Sequence, residues 1–346
     1  MKAAIYDPYL DTLGGGERYM MTFASVLRDA GWSVDIEFTQ KDILPKIQNR
    51  LGINTVNMRV VDSVERGDGY DLVLWLSDGS IPLLKSRNNI IHFQRPFSNV
   101  DGKSLMNRMK FYRINSVVVN SEFTKHWIDK EFPKESIVLY PPVDTKHFTS
   151  GKKENIILSV GRFSHLEQSK RQDVLVDCFK TLYDAKGSAA KKDKWKLIIA
   201  GGSDIGRTDF IDTLKKSSAG YPIEIKENPP FNDLLTLYRH AKLFWSASGF
   251  GVDETNDPNK VEHFGITVVE AMASGAVPFA YNAGGHKESI VQNVNGFVWN
   301  KKSELVRRTD DLIRNKPALR EMSQNALIRS ELYSEKSFKE KVFTLL

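Results

Sequence analysis

The sequence predicts an α/β protein made of two successive doubly wound units, each with a parallel sheet. Three observations predict it. Short apolar runs of strand length alternate with helix-period stretches from Ala3 to Tyr140, the same alternation restarts after Pro141-Pro142, and a glycine follows the first strand of each half.

The first unit opens on Ala3-Ala4-Ile5-Tyr6, an apolar run of strand length. A loop carrying Gly14-Gly15-Gly16 leads into a helical stretch from Glu17 to Ala30, closed by Gly31. Ser33 to Phe38 reads as the next strand, followed by Leu72–Leu76, Ile90–Phe93 and Ser116–Val119 with helical stretches between them. In the second half Asn155–Val160 is the first strand and is followed by Gly161, a helix near 172–186, the strand Trp195–Ala200 with Gly201-Gly202, and the strand at Ile223-Glu224-Ile225. Sheets of this kind bind ligands at the carboxyl ends of their strands. Two Rossmann-like domains facing a cleft are therefore expected, at 1–148 and 149–330, with a terminal helix at about 331–346 packing back on the first.

Composition narrows the function classes. A chain of 346 residues suits two domains, and 41% hydrophobic with 27% charged residues describes a soluble globular protein. No run approaches the roughly 20 apolar residues of a membrane-crossing helix, and the opening Met1-Lys2-Ala3-Ala4-Ile5-Tyr6-Asp7 turns acidic too soon for a secretory signal, so a cytoplasmic protein is expected. Cys178 is the single cysteine; it excludes an intrachain disulfide and a cysteine-cluster metal site and reads as helix packing. The net charge of +6 is modest and dispersed, so no nucleic-acid partner is expected.

The most informative segment runs from Val261 to Gly275. Phe264-Gly265-Ile266-Thr267 opens a helix lined by Val268, Val269, Ala271 and Met272, with Glu262 before it and Glu270 a turn inside it. The first amides of a helix lack intrahelical partners and the helix dipole is positive there, so the start favours phosphate, and Gly265 allows close approach. Two carboxylates beside a phosphate would repel it, whereas they accept hydrogen bonds from neutral hydroxyls. A ligand with both phosphate and hydroxyls is a nucleotide sugar.

Four motifs, in order and spacing, extend this reading: Gly14-Gly15-Gly16-Glu17-Arg18; Ser159-Val160-Gly161-Arg162-Phe163 with Lys170; Glu262 with Glu270; and Asn282-Ala283-Gly284-Gly285 followed by Glu288. With these the chain resembles, over essentially its whole length, the retaining glycosyltransferases of GT-B fold known as family 4, or glycosyl transferases group 1. Within that family it looks most like the mannosyltransferases that extend lipid-linked oligosaccharides and their bacterial relatives in polysaccharide assembly.

The resemblance implies roles. Gly14, Gly15 and Gly16 would approach the donor diphosphate, which Arg162 and Lys170 would clamp; Arg171 is the alternative second cation. Fixed cations there lower the barrier as the leaving diphosphate gains charge. Glu262 would contact the transferred sugar, Glu270 the ribose, and the backbone from Phe264 through Gly265, Ile266 and Thr267 the phosphate and sugar oxygens. His92 would reach the sugar, Arg95 the acceptor, and Pro230 with Phe231 the nucleobase. The donor is expected to be GDP-mannose, with other nucleotide sugars open, and the acceptor a glycan or lipid-linked saccharide. The mechanism the resemblance implies is front-face substitution in which the leaving phosphate helps deprotonate the acceptor. Neither a metal nor another cofactor is expected, since two cations and a helix start supply the charge compensation.

Two segments, 41–51 and 103–113, mix cations with apolar residues. They are either interfacial helices of a peripheral membrane protein or core helices with basic outer faces. Two other functions compete with glycosyl transfer. A nicotinamide-dependent oxidoreductase would use Glu37 on a ribose but lacks its Gly-x-Gly-x-x-Gly, and a non-catalytic nucleotide-sugar-binding subunit would use the same donor residues.

Overall fold

Seven parallel strands form the first sheet: β1 (Lys2–Tyr6), β2 (Ser33–Glu37), β3 (Met58–Val61), β4 (Leu72–Leu76), β5 (Asn88–Phe93), β6 (Ser116–Val119) and β7 (Ser136–Val138). Their order is β3-β2-β1-β4-β5-β6-β7. The computed structural model describes residues 1–164, 169–203 and 209–346. Alternate residues of the central strands feed two cores, as strand geometry requires. Ala3, Ile5, Leu72 and Leu74 join Met20, Phe23 and Leu27 of α1 (Gly15–Asp29) and Ile43 and Ile47 of α2 (Ile43–Leu51). Ala4, Val73, Val117 and Val119 join Phe111 of α3 (Leu105–Phe111) and Ile128 of α4 (Glu122–Glu131). Covered on both faces, these strands read as unbroken apolar runs.

The second unit repeats the plan with six parallel strands: β8 (Glu154–Val160), β9 (Lys196–Gly201), β10 (Ile223–Glu227), β11 (Ala241–Ser246), β12 (Val277–Tyr281) and β13 (Phe297–Trp299), in the order β10-β9-β8-β11-β12-β13. Its helices are α5 (Gln172–Asp184), α6 (Ala189–Lys192), α7 (Asp209–Ser218), α8 (Phe231–His240), α9 (Ile266–Ala273), α10 (His286–Ser289), α11 (Lys302–Arg314) and α12 (Lys316–Ser330). Cys178 is buried in α5 among Val174, Leu175 and Phe179, a packing residue.

The chain then returns. Its last helix, α13 (Glu335–Phe343), belongs to the first unit, which comprises Met1–Pro142 and Glu335–Leu346, while Val143–Ser334 form the second. Phe338 packs edge-on against Tyr19 at 5.2 Å between ring centres. The first stretch ends at Pro142, earlier than 148, because residues 143–148 are held by the second unit. Val143 donates its amide to Tyr333 O at 2.8 Å, and Phe148 packs edge-on against Tyr238 at 5.1 Å.

Candidate functional site

In each sheet the strand order reverses beside the first strand, between β1 and β4 and between β8 and β11. The carboxyl ends there are where an α/β sheet offers a crevice. In the second unit two glycines shape it. A Cβ on Gly201 would stand 1.9 Å from Gly161 O, and one on Gly161 would stand 2.7 Å from Lys170 Cγ. Glycine at 161 thus lets the Lys170 stem cross the end of β8.

Lys170 reaches Glu262, donating from Nζ to Oε2 at 2.5 Å. Burial alone would raise the Glu262 pKa, but Lys170, His286 and His263 beside it outweigh burial and hold it at about 2. The carboxylate is therefore ionised throughout the physiological range and only accepts hydrogen bonds. Arg171 goes elsewhere, gripping Asp173 with Nε and Nη2 and donating Nη1 to Phe250 O. Arg162 is exposed, and among the described residues no carboxylate pairs with it.

The loop after Glu262 is fixed by glycines. Gly265 precedes α9 with φ at +96°, a left-handed backbone, and a Cβ there would lie 2.9 Å from His286 Cδ2. On the opposite side Gly285 donates its amide to Glu262 O at 2.9 Å, and a Cβ on Gly284 would sit 2.0 Å from that same oxygen. This close contact explains the Asn282-Ala283-Gly284-Gly285 motif. Phe264 is buried against Tyr333, with ring centres 5.3 Å apart. Ile266 and Thr267 occupy the first turn of α9, where amides point out of the helix start.

Glu270, on the next turn of α9, accepts from Tyr238 Oη at 2.8 Å. Tyr238 lies on α8, whose first residue is Phe231, capped by Pro230; Phe231 is 47% exposed and packs edge-on against Phe148. The structure thereby gathers Lys170, Glu262, Gly265 and Glu270 around α9, and links Glu270 through Tyr238 and Phe148 to an exposed aromatic ring.

In the first unit Gly14 caps α1 and donates its amide to the Glu17 carboxylate at 2.6 Å, so the Glu of Gly-Gly-Gly-Glu-Arg holds the helix start. Gly15 begins α1. Gly16 lies against Gln94, whose Nε2 donates to Gly16 O at 3.0 Å; a Cβ there would sit 2.2 Å from Gln94 Oε1. His92 is wholly buried. Nδ1 lies 3.0 Å from Val118 O, the ring stacks on Tyr19 at 4.1 Å, and burial pushes its pKa down to about 3. The ring packs the sheet against α1, and its Nε2 is buried without a hydrogen-bond partner among the described residues. Arg95 is exposed, its guanidinium 5.3 Å from the Phe97 ring. Glu37 accepts from the Val64 amide at 2.8 Å, so its carboxylate is engaged by its own domain.

Glu37 also lines a recess of about 790 Å³ at the carboxyl ends of the first sheet, with Tyr6, Trp75, Arg66, Lys85 and Lys110. The Tyr6 and Trp75 rings stack at 3.6 Å. α3 presents Leu105, Met106 and Met109 to solvent at 78%, 69% and 65% exposure, followed by Tyr112 at 92%. By contrast α2 buries Ile43, Ile47 and Leu51. Of the two basic-apolar segments, 41–51 is a core helix, while 103–113 buries Phe111 and carries Leu105, Met106, Met109 and Tyr112 outward.

Sequence reading missed His286 and Tyr238. His286 is buried, Nδ1 lying 3.1 Å from Tyr281 O and Nε2 3.4 Å from Ser246 Oγ; its place directly after Gly284-Gly285 was the available signal. Tyr238 had none, since its role depends on α8 lying beside α9.

The sequence profile "Glycosyl transferases group 1" matches residues 143–329, more than half of the chain. A GDP-Man:Man(3)GlcNAc(2)-PP-Dol alpha-1,2-mannosyltransferase of Xenopus laevis is 30% identical over 240 residues, 64% of this chain and 46% of that protein. The alpha-1,3/1,6-mannosyltransferase ALG2 of Yarrowia lipolytica is 25% identical over 88% of this chain and 82% of its own. This chain spans about half the length of the alpha-1,2-mannosyltransferases it matches. Among solved structures, HepE of Anabaena in complex with UDP superposes with a TM-score of 0.74 at 16% identity, covering 99% of both chains. A glycosyltransferase from Rickettsia africae gives 0.75 at 18%, covering 99% of this chain and 97% of its own. These neighbours share the two parallel-sheet Rossmann-like domains of the GT-B fold. The chain belongs to the glycosyl transferases group 1 family.

Proposed function

We propose that this protein is a retaining glycosyltransferase of family 4 that moves mannose from GDP-mannose to a saccharide acceptor carried on a lipid. The observation that carries the reading is the ionised Glu262, paired with Lys170 beside the glycine-entered start of α9. Glu262 accepts hydrogen bonds from the sugar hydroxyls, Glu270 from the ribose, and the diphosphate meets the α9 amides, Lys170 and the exposed Arg162. Phe231 offers a ring to the base.

A carboxylate held at about 2 is a weak base and no acid, so it does not shuttle the proton. As the C1–oxygen bond breaks, the electron pair passes to the diphosphate, whose growing charge Arg162, Lys170 and the α9 amides stabilise. The acceptor oxygen bonds to C1 on the same face and gives its proton to the leaving phosphate oxygen, which retains the anomeric configuration. No residue of the set requires a metal or a further cofactor, and activity is expected to survive excess EDTA.

The acceptor suits the first unit. The recess beside Tyr6 and Trp75 offers aromatic faces and a carboxylate to a sugar, and Arg66, Lys85 and Lys110 suit an anionic linker. Lys110 belongs to α3, whose outward Leu105, Met106 and Met109 stand among Lys103 and Arg108, so α3 rests on an anionic membrane surface. Relatives named for dolichol-linked acceptors support the choice of a lipid carrier.

A thermal-shift panel of GDP-, UDP-, ADP- and dTDP-sugars tests the donor, with Glu270→Ala and Arg162→Ala as controls. GDP-mannose should give the largest shift, reduced by both substitutions; unchanged shifts would refute the site. Transfer from radiolabelled GDP-mannose, with the product anomer read by NMR, tests the reaction, and tight binding without turnover would instead mark a binding subunit. Co-sedimentation with phosphatidylserine vesicles tests α3: binding at low salt should be lost in Met106→Glu/Met109→Glu.

A further inference from the structure

The amino ends of the second sheet, away from the donor residues, hold a cavity of about 500 Å³. Lys153 precedes β8, Lys242 is the second residue of β11, and Trp195 precedes β9. Lys316, Leu319, Arg320 and Ser323 close the cavity from one face of α12, at helical spacing.

The charges are one-sided. Lys153, Lys242, Lys316 and Arg320 line the cavity with Asp193 as its one acid, and none of the four cations makes an ion pair among the described residues. The Lys153 ammonium donates to Ala241 O at 2.8 Å and to Ser274 O, which leaves one of its three protons. Lys242 is braced by Asn155 Oδ1 and lies 5.6 Å from the centre of the Trp195 ring. Trp195, Ile313 and Leu319 give the cavity an apolar wall.

We propose that this cavity is a second binding site, for an organic anion with a phosphate, sulfate or carboxylate head and a ring or short apolar body. The head sits among Lys153, Lys242, Lys316 and Arg320, and the body lies along Trp195, Ile313 and Leu319. Four like charges around one concave space repel each other, and an anion relieves that repulsion. Burial pushes Lys153 down to about 7, and burial together with Lys316 lowers Lys242. An anion beside Lys153 favours its charged form, so binding takes up a proton and weakens as pH rises through about 7. Asp193, Lys242, Lys316 and Arg320 face it, and the His240–Glu154 pair lies nearby.

Isothermal titration of the whole chain with naphthalene-2-sulfonate, whose charge does not change with pH, tests the site. We expect saturable binding, tighter at pH 6.5 than at pH 8.5, undiminished by saturating GDP, and at least about tenfold weaker in Lys316→Ala/Arg320→Ala. That double variant sits on exposed turns of α12 and is expected to fold. His240→Asn should keep the pH dependence. Neutral 2-naphthylmethanol should bind far more weakly. No saturable binding, equal affinity in the double variant, equal affinity at the two pH values, or displacement by GDP would overturn the proposal.

Discussion

Glu262 and Lys170 form an ion pair whose two halves have different tasks, so the charge of Glu262 and its shape are separable. Glu262→Gln keeps the shape and removes the charge. Transfer should fall about 10²-fold or more while GDP binding changes little, measured as kcat against the GDP shift. Since Glu262 titrates near 2, wild-type kcat should show no acidic limb from this group above about pH 4. Two other residues oppose each other in pH. Burial, reinforced by Glu17 and Asp11, raises Asp7 from 3.8 to about 7, so between those values the folded state holds a proton the unfolded chain lacks and stability falls as pH rises. Burial lowers His92 from 6.5 to about 3, so between those values the unfolded chain holds the extra proton and stability rises with pH. The slopes cancel between about pH 4 and 6.5. Asp7→Asn should leave a stability that rises with pH over that window, by on the order of 3 kcal/mol, and His92→Asn one that falls, read by urea unfolding at each pH.

At the scale of elements, α9 and its entry turn are the most constrained part of the donor site. Gly265→Ala must adopt φ near +96° and press its methyl on His286. We expect a loss of about 1–3 kcal/mol in stability and a weaker donor-induced thermal shift, because the α9 amides would be displaced. The inner strands of the first sheet and β8 and β9 of the second were legible because residues buried on two faces must be apolar throughout, but β11, β12 and β13 of the second sheet were not read as strands. The edge strands β3 and β7 were not read as strands. Met58-Arg59-Val60-Val61 and Ser136-Ile137-Val138 are short, partly exposed, and carry little pattern. α3 shows the limit of pattern reading: its sequence mixes cations and apolar residues as α2 does, and only the position of its neighbours decides which face is covered. The donor residues near α9 were legible because Glu262, Gly265 and Glu270 lie in one short segment. His286 and Tyr238 come from other elements, and their places follow from packing that local spacing does not encode.

At the scale of the molecule, the terminal helix α13 completes the first unit. Phe338 is 2% exposed against Tyr19 and Phe23, and Asn88 Nδ2 donates to Leu345 O at 2.9 Å. Phe338→Ala should cost about 3–5 kcal/mol, seen as a lower urea midpoint with the thermal response of the second unit to GDP retained. Because the first unit is made of Met1–Pro142 and Glu335–Leu346, the second is an insertion within it. During synthesis residues 143–334 are therefore finished while the first sheet still lacks its last covering helix, with Tyr19 and Phe23 unprotected. The unit whose first strand is made before the other's is covered only once the segment of α13 has followed residues 143–334.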